Sequence, residues 1–185
     1  KLIIDPNNNN VFYATTQGAT EYTDKVGNGA GVFKSNDRGN SWTQINNGLD
    51  SLETNILTVD PNDSETLYLG TDDDGVYKST DGGESWKKLT VSSLSKSFGV
   101  GDIIVDPQNS NNIYIGTVDY FRLSESRGVL GDFGVYKSTD GGATWEEFNA
   151  GLNHLGVFSL ELSQENRILY AGTRAGGVYW ISLDN

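Results

Sequence analysis

Three observations predict an all-β chain built from repeated four-stranded units. A single turn pattern is written three times. Short apolar runs rich in Val, Ile, Tyr and Phe are punctuated by Gly, Asn and Asp, with no sustained helical periodicity. Those runs recur in groups of four at a period of roughly 40–45 residues. The pattern reads S-x-D-x-G-x-[ST]-W and spans Ser35 to Trp42, Ser79 to Trp86 and Ser138 to Trp145. Its chemistry is that of a hairpin. The Asp accepts N–H groups just downstream and nucleates the turn, Gly supplies the positive φ that other residues resist, and Trp folds back as a large apolar plug. Four-stranded meanders at this spacing are the mark of β-propeller blades. The predicted fold is therefore an all-β propeller of four blades, the last without its outer strand, forming a ring or part of a larger one.

Each blade is justified in turn by its four runs. The first blade (1–50) opens with Leu2-Ile3-Ile4 as a buried strand, stopped at Asp5-Pro6; Val11 to Thr15 is its second strand, and Val32-Phe33-Lys34 leads into the turn motif. The second blade (51–98) repeats this with Leu57 to Pro61, Leu67 to Thr71 and Val76-Tyr77-Lys78, and the third (99–153) with Ile103 to Pro107, Ile113 to Thr117 and Val135-Tyr136-Lys137. Polar residues Asn7 to Asn10, Asn62 to Glu65 and Gln108 to Asn112 are read as the intervening turns. The fourth blade (154–185) has Phe158 to Leu162, Ile168 to Thr173 and Gly177 to Ile181, but Ile181 stands where the turn motif would start, and no fourth strand follows. An unpaired strand edge invites pairing with another chain, so self-association through this edge is an expected partner mode.

The repeated motif resembles the Asp box of bacterial neuraminidase-type repeats, found in sialidases, the xyloglucanase family and sortilin-type receptors. The resemblance covers nearly the whole chain and implies a propeller in which Asp37, Asp81, Asp140 and Trp42, Trp86, Trp145 are structural, with the Trp rings buried. It also implies that the motif lies away from the active face. The connections between second and third strands share the opposite face. They are short in blades two and four (Asp72-Asp73-Asp74; Arg174-Ala175-Gly176) and long in blades one and three (residues 17–30 and 118–133). Loops on a rigid scaffold carry function, so the long pair is the expected recognition surface.

Composition narrows the function. The 185 residues carry a net charge of −12, which repels phosphate and excludes nucleic acid as a partner. No apolar run approaches the length of a membrane-spanning helix, so no insertion by a helix is expected. Cysteine is absent, so disulfides and thiol chemistry are excluded, and the lack of any methionine points to a processed or excised chain acting outside the cell or at its surface. His154 is the only histidine, too few for a triad or a zinc site.

The residues singled out for ligand contact are Tyr22, Tyr120, Phe121, Arg122, Arg127 and Arg174, since Tyr and Arg are favoured at interaction hot spots. Asp72, Asp73 and Asp74 place three carboxylates in one turn, a pattern that suits Ca²⁺ as well as plain turn formation; no other cofactor is expected. A glycosidase would draw its two carboxylates from Glu21, Asp24, Asp119, Glu125 and Asp132. The Arg-Ile-Pro signature of sialidases is missing. The reading leans to a non-catalytic extracellular module that recognises a protein or glycan. The alternative is a carbohydrate-active enzyme, a glycoside hydrolase of xyloglucanase or sialidase type or a fragment of one.

Overall fold

A computed structural model describes residues 1–18, 29–94, 98–119 and 133–184. Fifteen strands form four antiparallel meanders, with no helix among the described residues. Blade one is β1 (Leu2–Asp5), β2 (Asn8–Thr16), β3 (Gly31–Ser35) and β4 (Thr43–Gln44). Blade two is β5 (Thr54–Asp60), β6 (Asp63–Thr71), β7 (Val76–Ser79) and β8 (Lys87–Lys88). Blade three is β9 (Gly99–Val105), β10 (Ile113–Val118), β11 (Val135–Ser138) and β12 (Glu146–Glu147). Blade four has β13 (Val157–Ser163), β14 (Ile168–Thr173) and β15 (Gly177–Ser182). The second strands of blades one and two begin inside the polar runs read as turns, at Asn8 and Asp63, because the chain reverses over only two residues, Pro6-Asn7 and Pro61-Asn62.

Hydrogen bonds sort the connections into two faces. On one, the start of each third strand binds the connection to the next blade: Gly31 N to Leu52 O at 3.2 Å, Gly75 N to Phe98 O at 3.0 Å and Gly134 N to Leu155 O at 2.8 Å. On the other, the repeated turn binds the start of the second strand: Arg38 N to Asn10 O at 3.0 Å, Gly82 N to Glu65 O at 2.9 Å and Gly141 N to Asn111 O at 3.0 Å. A threonine at or next to the end of each second strand donates its hydroxyl to a carbonyl at or just before the start of the third: Thr16 to Gly31, Thr71 to Gly75, Thr117 to Gly134 and Thr173 to Gly177, at 2.9–3.1 Å. The loop face therefore stands on a fixed base.

The core lies between blades. Tyr13 and Val32 of blade one pack with Leu57, Leu67 and Trp86 of blade two. Tyr68 and Val76 of blade two pack with Ile103, Ile115 and Trp145 of blade three. Tyr114 and Val135 pack with Val157, Leu160 and Leu169 of blade four. Each fully buried aliphatic side chain contributes about 1.5–3 kcal/mol. Trp86 and Trp145 thus plug the seam with the preceding blade.

That arrangement corrects two expectations. Leu2 and Ile4 are 60% and 51% exposed, while their counterparts Leu57 and Val59 are 2% and 5% exposed. Trp42, expected to be buried, is 39% exposed, against 5% for Trp86 and 8% for Trp145. These residues face the side of blade one on which none of the described sheets lies. At the other flank, Val178 and Trp180 are exposed for the same reason, although Val76 and Val135 at the position of Val178 are buried.

Candidate functional site

On the loop face, the residue after the second-strand threonine of blade two is Asp72. It is 2% exposed. Its Oδ2 accepts Nε2 of Gln17, at the root of the long blade-one loop, at 2.6 Å. Its backbone N–H donates to Glu53 O at 3.0 Å. Oδ1 is buried with no hydrogen-bond partner among the described residues. A buried carboxylate normally has every oxygen satisfied, so the lone oxygen marks this group out. Burial is the main cause that pushes its pKa up to about 6; the Gln17 hydrogen bond opposes the shift, and the charges of Glu53 and Asp73 add to it. Because Oδ2 is the acceptor for Gln17, the proton of the neutral form sits on Oδ1.

Glu53 is the second built element. Its two oxygens accept Gly18 N and Gly29 N, each at 2.7 Å, and so clamp both ends of the long blade-one connection.

The other two carboxylates of the acidic turn diverge. Asp73 accepts the Ser51 hydroxyl at 3.1 Å. Asp74 is bound by the Tyr77 hydroxyl and by Lys88. Asp72, Asp73 and Asp74 therefore do not converge on one point, and no cluster of three or more metal-binding side chains occurs among the described residues. Of the expected ligand contacts, Arg174 lies on the loop face: its guanidinium sits 5.1 Å from the Phe158 ring centroid and donates to Asp119 O. Asp119 is itself buried. Tyr22, Tyr120, Phe121, Arg122 and Arg127 lie outside the described residues, as do Glu21, Asp24, Glu125 and Asp132.

The three repeated turns share one hydrogen-bond pattern on the opposite face. Asp81 Oδ1 accepts Ser79 Oγ at 2.7 Å and Ser85 N at 2.9 Å, and Oδ2 accepts Ser85 Oγ at 2.5 Å. Asp37 and Asp140 repeat this with Ser41 and Thr144. The hydroxyl of Ser41, Ser85 or Thr144 is the leading cause that holds each carboxyl at about 2.

One set of residues escaped the sequence reading. Asp5, Asp60 and Asp106, read as turn stops, are buried staples between blades. Ser64 donates to Asp5 at 3.0 Å, Ser110 donates to Asp60 at 2.7 Å, and Arg167 forks onto both oxygens of Asp106 at 3.0 and 2.6 Å. The recurrence of Asp-Pro at the end of three first strands was the available signal.

Comparison with known proteins bears on what this face is for. Residues 30–179 match the family described as Sortilin, neurotensin receptor 3. Xyloglucanase Xgh74A of Acetivibrio thermocellus is 36% identical over 96 residues, which is 47% of this chain and 11% of that protein. The GH74 enzyme of Niastella koreensis superposes with a TM-score of 0.71 at 26% identity, over 99% of this chain and 28% of that one. An ancestral GH74 enzyme superposes with a TM-score of 0.75 at 24% identity, over 97% of this chain and 22% of that one, a likeness of fold. The chain thus spans a small part of the length of each of these relatives.

Proposed function

The chain belongs to the sortilin/Vps10 propeller family, and from that premise we propose that it is part of a glycoside hydrolase of xyloglucanase type, with Asp72 as the proton donor of its loop face. The observation that carries the reading is the buried Oδ1, without a hydrogen-bond partner among the described residues, of a carboxyl whose pKa is pushed to about 6. A general acid for glycosidic cleavage must be protonated at working pH. Asp72 meets this below about pH 6 without any metal. The kinship with Xgh74A supports a xyloglucan-type polysaccharide as the substrate. A polymer of that size is met outside the cell, which supports an extracellular site of action.

In the proposed step, the proton on Asp72 Oδ1 passes to the bridging glycosidic oxygen as its bond to the anomeric carbon breaks. Water adds to that carbon and gives its proton to a second carboxylate. Gln17 keeps Oδ2 occupied, so the departing proton comes from Oδ1. The nearby acids are engaged elsewhere: Glu53 by Gly18 and Gly29, Asp73 by Ser51 and Asp74 by Lys88. That engagement favours a second reading, a glycan- or protein-binding face without hydrolysis.

Xyloglucan hydrolysis by the natural full-length protein separates the two. Asp72→Asn should lower kcat about 10²–10⁴-fold while the dissociation constant for a xyloglucan oligosaccharide changes little. An unchanged rate in the variant would remove Asp72 from the chemistry. Tight binding with no hydrolysis by wild type would establish the second reading.

A further inference from the structure

The inner strands share a feature that the turn motif does not require. β5, β9 and β13 all slip register near their loop-face ends. Against β6, Thr54 pairs with Thr71 and Ile56 with Gly70. Against β10, Val100 pairs with Thr117 and Asp102 with Gly116. Against β14, Val157 pairs with Thr173 and Ser159 with Gly172. Each slip leaves one residue out of the ladder, namely Asn55, Gly101 and Phe158. A bulge re-aims the side chain of its extra residue, and bulges concentrate next to functional sites. All three extra residues line the same cavity of about 270 Å³, with Asp102 and Gln17 also in its wall.

The chemistry of that wall is asymmetric. Phe158 offers an aromatic surface that is 39% exposed, and Arg174 braces the ring from 5.1 Å. Asn55 brings an amide whose Nδ2 already donates to Val100 O at 2.8 Å. Asp102 brings a carboxyl whose oxygens accept Ile103 N at 3.0 Å and Leu160 N at 2.9 Å. Each carboxyl oxygen keeps a further lone pair for a hydroxyl donor. Gly101 contributes no side chain, and its backbone packs against blade four, where a Cβ would meet the Val157 carbonyl oxygen at 2.2 Å. An aromatic plate facing hydroxyl acceptors suits a sugar ring, which has an apolar C–H face and a polar rim. The volume lies just under the roughly 300–1,000 Å³ typical of drug-sized ligands, so it suits one ring rather than a chain. Lys1 lies in the same wall and its charge acts on Asp102, so the two offset and the wall suits a neutral ring.

We propose that the three bulges build a subsite for one neutral pyranose unit at the loop-face ends of β5, β9 and β13. Phe158 is its stacking platform, and Asn55 and Asp102 are its hydrogen-bonding wall. The choice of a sugar as ligand rests on the function proposed above. Gln17 ties the two sites together, since it lines the cavity and also donates to Asp72 Oδ2 at 2.6 Å. The subsite seats a sugar beside the proton donor and is chemically separate from it.

The test is an amide-NMR titration of this chain with a xyloglucan oligosaccharide. The Gly101 and Ser159 amides are expected to shift, Phe158→Ala to weaken binding at least tenfold, and Arg174→Ala to weaken it by less. Asp72→Asn is expected to bind within about twofold of wild type. Wild-type affinity in Phe158→Ala, or no shift at Gly101 and Ser159, overturns the subsite. Those outcomes leave the proton-donor reading standing, because that reading fails only on the hydrolysis and titration of Asp72.

Discussion

Replacing Asp72 by Asn removes a titration from the folded state and should leave its shape unchanged. The carboxyl holds its proton up to about pH 6 in the fold, against the ordinary value of 3.8. Between those values the folded state binds more protons than the unfolded state, so stability falls as pH rises and stays low above about 6. A shift of that size corresponds to about 3 kcal/mol, and the near-complete burial of the side chain means that solvent screening takes little of it. Asn keeps an oxygen for Gln17 and carries no charge. Urea unfolding of both proteins should therefore show the stability difference moving in favour of Asp72→Asn by about 1–3 kcal/mol between about pH 3.5 and pH 7.5. Any constant offset from exchanging an acid for an amide cancels in that comparison, as do titrating groups that do not interact with Asp72. A difference that stays flat across the range would refute the claim that Asp72 is held neutral by burial.

The repeated turns titrate the other way. Asp37, Asp81 and Asp140 have pKa values depressed to about 2, so their contribution is complete above about pH 3.8 and lost as pH falls toward 2, and Asp81→Ala should flatten that acid limb in thermal unfolding. Trp86→Ala should cost about 3–5 kcal/mol, whereas Trp42→Ala, at a 39% exposed site, should cost far less; equal losses by denaturant titration would contradict the seam-plug account. Arg38 adopts φ of 61° where the other two turns have Gly82 and Gly141, so Arg38→Gly should raise stability by about 1 kcal/mol, and a loss of stability would show that its bond to Asn10 outweighs the strain. Trp180→Lys restores the residue type that blades one to three carry at that position, and it should reduce any concentration-dependent growth in light scattering; unchanged scattering would argue against association through the outer edge of β15.

Local chemistry made the blades legible. The Asp–Ser–Gly code of each turn is closed within eight residues, and the alternation Val-x-Lys in the third strands of blades one to three sets which face meets the next blade. Properties that need two blades were harder to read. Leu2, Ile4 and Trp42 match their buried counterparts in type, and only the position of a neighbouring sheet decides their exposure. Asp72 is one of three adjacent aspartates, and its neighbours Asp73 and Asp74 look equivalent in the chain. It differs because Gln17 and Glu53, from distant segments, close over it. The bulged residues Asn55, Gly101 and Phe158 share no residue type at all, since a bulge is a property of strand register and not of the side chain it re-aims. Arg174 was identified as a candidate contact, whereas Phe158 beneath it was read as an ordinary strand residue.

The most direct test of the central claim is the ¹³C carboxyl titration of Asp72 itself, assigned by comparison with Asp72→Asn. The account predicts a midpoint near pH 6, moving upward in Gln17→Leu as the hydrogen bond to Oδ2 is lost. A midpoint at or below about pH 4, in the range of an ordinary aspartate, would mean that Asp72 is a charged loop residue at working pH and would contradict its role as proton donor.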